Sequence, residues 1–182
     1  MKFTRTHIPD VIIIEPKVHG DERGYFVETF RQDLLSEFLG YEINWLQDNE
    51  SKSSRGVLRG LHYQLNPAAQ AKLVRVIQGK VLDVAVDIRK DSPTFGQHVA
   101  VELTAENKQQ LLVPRGFAHG FVVLEDDTIF AYKVDNYYSP ENDRGIAFDD
   151  PAIGIDWGVA TEQLKLSEKD TKQPLLKNAE VF

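Results

Sequence analysis

The chain contains no cysteine. That removes disulfides, thiolate metal sites and cysteine nucleophiles together. Positive charge is also short, with 21 Lys plus Arg against 28 Asp plus Glu for a formal net charge of -7. No stretch concentrates Lys or Arg, so the electrostatic footprint of a nucleic-acid binder is missing and no nucleic-acid partner is expected. Long apolar runs are missing too. The run near the start, Val11 to Ile14, is closed by Glu15 and Pro16. Four apolar residues are too few for a signal-peptide core or a membrane span, so the expected setting is the cytoplasm, away from membranes. Neither G-x-G-x-x-G, nor a P-loop, nor a G-x-S-x-G elbow occurs, which leaves a dinucleotide site, a Walker loop and an α/β-hydrolase without support.

What the sequence does have is alternation. Apolar and polar residues alternate, or form short β-branched runs, over Val11–Ile14, Tyr25–Phe30, Ile43–Asn49, Val57–Tyr63, Leu73–Ile77, Val81–Ile88, His98–Leu103, Gln110–Val113, Gly120–Leu124 and Thr128–Val134. A period of two at this density predicts strands. Turn-forming residues separate them at Gly20-Asp21, Gly79-Lys80, Asp91-Ser92-Pro93, Glu125-Asp126-Asp127 and Ser139-Pro140. About ten strands on short turns, without intervening long helices, predict an all-β antiparallel sandwich or barrel of the jelly-roll type. One helix is expected over Arg31–Phe38, closed by Gly40, and a short turn at Ser167, an N-cap candidate ahead of Glu168-Lys169-Asp170. With 182 residues, no repeat and no linker-like stretch, residues 1–182 are expected to form one domain.

Five histidines carry the remaining leads. His7, His19 and His98 stand in polar surroundings without a partner pattern and read as surface residues. His62, in Arg59-Gly-Leu-His-Tyr-Gln64, and His119, in Pro114-Arg-Gly-Phe-Ala-His119, differ. The two segments resemble the paired signatures of the cupin jelly roll, G-x5-H-x-H with a later Glu, and P-x-G-x-x-H. Here Gln64 stands in place of the second histidine and Lys72 in place of the glutamate. A protonated ammonium cannot ligate a cation, so no metal is expected. What remains is a pocket of His, Arg and Lys suited to an anion and to proton transfer. On a regular strand Arg59 and His62 point to opposite faces, so a bulge at Gly60 would be required to aim both at one pocket. As isolated residues, Arg59 and Lys72 could equally be solvated edge positions and His62 a hydrogen-bonded core histidine.

Longer runs sharpen the reading: Asp21-Glu-Arg-Gly-Tyr-Phe-Val-Glu28, Gln47-Asp48-Asn49, Arg59–Gln64, Val113–Phe121 and Leu166-Ser-Glu-Lys-Asp170. In order and spacing they closely resemble the dTDP-4-dehydrorhamnose 3,5-epimerases, from about residue 3 to residue 175. The resemblance implies a cofactor-free, metal-independent cupin homodimer. It also implies an isomerase that inverts C3 and C5 of dTDP-4-dehydro-6-deoxy-D-glucose, giving dTDP-4-dehydro-L-rhamnose for cell-surface polysaccharide. It makes His62 the base, Asp170 its carboxylate partner and Tyr132 the acid, with Lys72 and Arg59 placing positive charge near the enolate or the pyrophosphate. It assigns Arg23, Glu28, Gln47, Asp48, Asn49, His119, Asp143 and Lys169 to nucleotide or sugar contacts, Tyr138 to stacking on the thymine, and Phe26 to the pocket lining. The family commonly has Glu where this chain has Asp143. The remaining alternatives are a related 3- or 5-epimerase or ketoisomerase, a noncatalytic sugar-nucleotide-binding cupin, and a metal-dependent cupin oxygenase, the last opposed by Gln64 and Lys72. The segment Phe3–Ile14 is a candidate for exchange between subunits.

Overall fold

The computed structural model describes residues 1–182. Thirteen strands follow in chain order: β1 (Lys2–Arg5), β2 (Ile12–Glu15), β3 (Val18–Asp21), β4 (Gly24–Val27), β5 (Gln47–Ser53), β6 (Leu58–Gln64), β7 (Lys72–Gln78), β8 (Lys80–Asp87), β9 (His98–Thr104), β10 (Gln110–Val113), β11 (Phe117–Val123), β12 (Thr128–Val134) and β13 (Asp143–Gly145). One helix, α1 (Gln32–Leu39), and three short 3-10 turns complete the secondary structure.

The strands form two antiparallel sheets, in the orders β1-β2-β10-β7-β12-β5 and β13-β6-β11-β8-β9, with β3–β4 as a separate hairpin. Consecutive strands lie in different sheets at several points, as in a jelly roll. The apolar residues that alternate along β7, β8, β11 and β12 explain why the sheets face each other. Val74, Val76, Val81, Ala85, Phe121, Val123 and Phe130 form one buried cluster between them. At roughly 1.5–3 kcal/mol for each fully buried large aliphatic or aromatic side chain, this layer is a main source of stability. A second cluster lies behind the five-stranded sheet. There Leu58, Leu61 and Tyr63 of β6 are covered by Ile146, Phe148, Trp157 and Leu176 from the C-terminal segment. A third lies outside the six-stranded sheet, where α1 buries Leu35 against Ile12, Ile14, Leu73 and Leu112. Gly40 ends α1 at φ 80°, the left-handed conformation that glycine adopts without a Cβ clash.

Two departures from the sequence reading follow from local packing. Ile43–Trp45 is not a strand; Ile43 joins the cluster beneath α1 and strand β5 begins only at Gln47. Gly20 and Asp21 belong to β3 rather than to a turn, and the turn lies at Glu22-Arg23. Within the chain Phe3 of β1 lies opposite Ile14 of β2, and β2 pairs with β10.

Candidate active site

The site begins with two glycines on neighbouring strands. In the β6–β11 pair His62 lies opposite His119, but Arg59 lies opposite Phe121, so β6 carries one extra residue between them. Gly60, at φ 127°, sits so close to β11 that a Cβ there would come 2.5 Å from Gly120 Cα. A Cβ on Gly120 would in turn meet Arg59 O at 2.9 Å. Only glycine at both positions permits this approach. The bulge shifts the alternation by one, and Arg59 and His62 consequently line the same cavity.

That cavity, about 520 Å³, opens between the sheets. The five-stranded sheet supplies Arg59 and His62 from β6 and His119 and Phe121 from β11. The six-stranded sheet supplies Lys72 from β7 and Phe130 and Tyr132 from β12, and the C-terminal segment supplies Leu166, Ser167 and Asp170. A second lobe of about 320 Å³ shares His62, Lys72 and Tyr132 and adds Gln47, Asn49, Tyr138, Asp143 and Lys169.

His62 Nε2 lies 2.6 Å from Asp170 Oδ1. A carboxylate can only accept, so Nε2 carries the proton and Nδ1 holds the free lone pair. The Asp170 side chain is 3% exposed against 30% for His62. Burial alone would raise the Asp170 pKa, but hydrogen bonds from His62 and Ser167 outweigh it and hold the carboxyl below its ordinary value. The segment that brings Asp170 here is tied to β6. Lys165 N–H donates to Gly56 O at 2.8 Å and Leu58 N–H donates to Lys165 O at 3.1 Å. Asp170 then opens the 3-10 turn Asp170–Lys172; the residue at its N-cap is Lys169 rather than Ser167, and Ser167 Oγ accepts from Asp170 N–H at 3.2 Å from three residues upstream.

A second histidine–carboxylate pair, which the sequence reading missed, shares the cavity. His119 Nε2 lies 3.0 Å from both carboxylate oxygens of Asp83, a β8 residue without solvent exposure. Burial pulls the His119 pKa below its ordinary value; Asp83 opposes this, and the charges of Lys72 and His62 add to it. Asp83 could have been found, because a carboxylate inside the apolar run Val81–Val86 must have a buried partner. Lys72 also loses hydration, which lowers its pKa to about 8 although Asp83 and Asp143 raise it. Tyr132 is partly buried among Phe130 and the core. Burial raises its pKa, with Arg59 opposing, so the phenol stays protonated at neutral pH.

In the second lobe the Tyr138 hydroxyl donates to Asp143 Oδ2 at 3.0 Å, and Lys169 pairs with the same oxygen. Gln47 Nε2 donates to Asn49 Oδ1 at 2.7 Å. Strand alternation excludes Asp48 from this group, and that expectation is corrected. Asp48 points out of the opposite face of β5, is 73% exposed, and pairs with Lys133 at 2.8 Å. Arg23, Phe26 and Glu28 are also absent from the cavity wall of their own chain. They lie on or beside the β3–β4 hairpin, with the Arg23 side chain 85% and Phe26 67% exposed, and Glu28 exposed beside Arg31.

The residues at the cupin metal position do not fit a divalent ion. Gln64 Nε2 donates to Ala68 O at 2.6 Å and to Tyr137 O at 3.1 Å, while its Oε1 accepts from Ser139 N–H at 2.7 Å. Gln64 therefore joins two loops, and Lys72 brings positive charge where a ligand would stand.

Known proteins resemble this chain over nearly its whole length. The model of the dTDP-4-dehydrorhamnose 3,5-epimerase family matches residues 5–178. A dTDP-4-dehydrorhamnose 3,5-epimerase of Shigella flexneri is 54% identical over 182 residues, covering 100% of this chain and 99% of that one. The crystal structure of the dTDP-4-dehydrorhamnose 3,5-epimerase of Elizabethkingia anophelis matches with a TM-score of 0.94 at 50% identity, over 98% of this chain and 97% of that one. The dTDP-6-deoxy-D-glucose-3,5-epimerase of Legionella pneumophila, solved in complex with dTDP-4-keto-L-rhamnose, matches with a TM-score of 0.93 at 51% identity, over 97% and 93% of the two chains. By family match and by fold, the chain belongs to the dTDP-4-dehydrorhamnose 3,5-epimerases.

Proposed function

We propose that this protein inverts C3 and C5 of dTDP-4-dehydro-6-deoxy-D-glucose to give dTDP-4-dehydro-L-rhamnose. The observation that carries the reading is the placement of base and acid on opposing sheets. His62, with Asp170 behind it, comes from the five-stranded sheet, and Tyr132 comes from the six-stranded sheet across the same cavity. Inversion requires a proton to leave one face of a carbon and return to the other, and a base alone achieves only exchange.

The C4 ketone acidifies the hydrogens on C3 and C5. His62 Nδ1 removes one, and the electron pair moves onto O4 as an enolate. Asp170 stabilises the imidazolium as it forms. Lys72, charged below about pH 8, supplies a preorganised cation for the enolate oxygen. Tyr132 returns a proton from the opposite face, its phenolate is stabilised by Arg59, and exchange with solvent takes the proton from His62 and restores one to Tyr132 before the second carbon reacts. No electrons are gained or lost overall, so the step calls for no redox cofactor. The nucleotide occupies the second lobe, with Tyr138 against the base and Asn49, Asp143 and Lys169 beside the remaining polar groups.

The reading includes a homodimer. Arg23, Phe26 and Glu28 are exposed on a hairpin outside their own cavity, so the nucleotide contacts that the resemblance gives them are made in the cavity of a second copy. Light scattering should give twice the 20.7 kDa chain mass. A monomer at micromolar concentration would remove the shared site.

The test of the activity is incubation with dTDP-4-dehydro-6-deoxy-D-glucose in deuterated water, followed by NMR of both carbons. Deuterium at C3 and C5 together with the L-configured sugar is expected. Label at one carbon only would make the protein a monoepimerase, and no label at either would leave it a binding protein.

A further inference from the structure

We propose that Ser167 is a positioning residue for the His62–Asp170 pair. This rests on the epimerase reading for its kinetic consequence, though the geometry stands alone. Asp170 has two carboxylate oxygens with different partners. Oδ1 accepts from His62 Nε2 at 2.6 Å, and Oδ2 accepts from the Ser167 hydroxyl at 2.6 Å. The same serine oxygen accepts from Asp170 N–H at 3.2 Å. Serine and aspartate thus clasp each other through side chain and backbone, and rotation of the carboxylate about its own bond is blocked.

The surrounding contacts explain why such a clasp is required. Asp170 lies in a three-residue 3-10 turn, which fixes side-chain direction far less than a sheet does. Its histidine belongs to a different element, β6. The aspartate of the other pair, Asp83, stands on β8, which is hydrogen-bonded directly to the β11 strand of His119. The sheet alone orients that pair. Ser167 supplies for Asp170 what strand pairing supplies for Asp83.

The hydroxyl acts separately from the turn. Main-chain bonds from Asp170 N–H and Thr171 N–H to Ser167 O, at 3.0 and 3.3 Å, hold the turn without the side chain. Ser167 is exposed towards the cavity, which leaves room for one added methyl group. The substitution pair is therefore Ser167→Ala, which removes the donor, and Ser167→Thr, which keeps it.

Two readouts are made on the intact protein. The first needs no substrate. A proton held between an imidazole nitrogen and a carboxylate 2.6 Å away gives a strongly deshielded NMR signal, and the His62 Nε2 proton should show one. It should persist in Ser167→Thr and disappear in Ser167→Ala, with the other resonances unmoved. The second is kinetic. Losing a hydrogen bond to a charged group should lower kcat about 10- to 100-fold in Ser167→Ala, with the KM and the affinity for dTDP unchanged. Ser167→Thr should stay within a few-fold of the parent. An Ala variant that keeps both the signal and the parent kcat would overturn the proposal. So would Ala and Thr variants equally impaired in kcat and in dTDP affinity, because that pattern marks a disturbed loop. If the parent protein fails to turn over the sugar nucleotide, the epimerase reading fails, and the proton signal still decides the role of Ser167.

Discussion

Two histidines line one cavity, each joined through Nε2 to an aspartate, yet their surroundings assign them different work. His119 and Asp83 stand on adjacent core strands, and both are buried. A proton added to His119 would create a charge in a desolvated place beside Lys72, which is why its pKa is depressed. His62 keeps 30% of its side-chain surface exposed, and its partner is held in the charged form by its own hydrogen bonds. The comparison teaches that a histidine–carboxylate pair is not by itself a base. In the buried pair a neutral imidazole donates from Nε2 to the Asp83 carboxylate and keeps only Nδ1 as an acceptor; under the proposed function the half-exposed pair is the one that cycles.

Breaking each pair with an isostere should separate them most widely. Asp170→Asn should fold and bind nucleotide yet lose turnover by roughly 10⁴-fold, as happens when the carboxylate behind a catalytic histidine is replaced in an unrelated hydrolase. Asp83→Asn should cost far less, about 10²-fold, because it disturbs a group that only stabilises charge. Steady-state kinetics with dTDP affinity as a control compares the two. Equal losses would erase the distinction.

Tyr132→Phe sharpens the comparison from the opposite sheet. Removing the hydroxyl leaves the His62 pair intact, so deuterium uptake should continue while most L-configured product is lost. NMR of the sugar ring reads both. Formation of the L-sugar at the parent rate would return Tyr132 to the packing it shares with Phe130.

The pH dependence gives a smaller effect. Lys72, with a pKa lowered to about 8, is charged below that value and neutral above it, so the rate should fall as pH rises through about 8. Asp83 is one of the two carboxylates that raise this pKa, so Asp83→Asn should move the alkaline limb to lower pH. A limb unmoved by that substitution would uncouple Lys72 from the buried pair. Activity should persist after dialysis against a chelator, because Lys72 and Gln64 do not supply ligands. Restoration by zinc or iron after such treatment would contradict the role given to both.

Stability away from the site provides the smallest test. Asp87 is buried and accepts from Arg89, Ser92 and Thr94, which together overcome its desolvation and lower its pKa from 3.8 to about 2. A depressed carboxylate pKa contributes stability that is fully present above pH 3.8 and is lost as pH falls through about 2. Thermal melts of the parent and Asp87→Asn should differ above pH 4 by an amount equivalent to about 2 kcal/mol and converge in stronger acid. A constant difference across that range would place the effect in packing alone.

Much of this was legible in the sequence because alternation is local. The strands that build the facing sheets, α1 with its terminal Gly40, and the inward face of Tyr132 all follow from it. The bulge at Gly60 was legible as a conflict, since Arg59 and His62 could share a pocket only if the period slipped there. Asp48 was misjudged against the same rule, because neighbours on a strand face opposite ways and Gln47 and Asn49 already claimed the inside. Asp83 stayed hidden because its partner is 36 residues away and only sheet pairing brings them together. Ile43–Trp45 read as a strand because its apolar residues do pack, but under a helix rather than in a ladder. The hairpin carrying Arg23 and Phe26 marks a further limit, since sequence order alone does not show that it stands away from the cavity of its own chain.

The most direct test of the central claim compares deuterium uptake from solvent in His62→Asn and His119→Asn, with the sugar nucleotide bound and both carbons followed by NMR. The account predicts no uptake at C3 or C5 in His62→Asn, and slowed but measurable uptake at both in His119→Asn. Uptake that survives loss of His62 and vanishes with His119 would contradict it and make the buried pair the base.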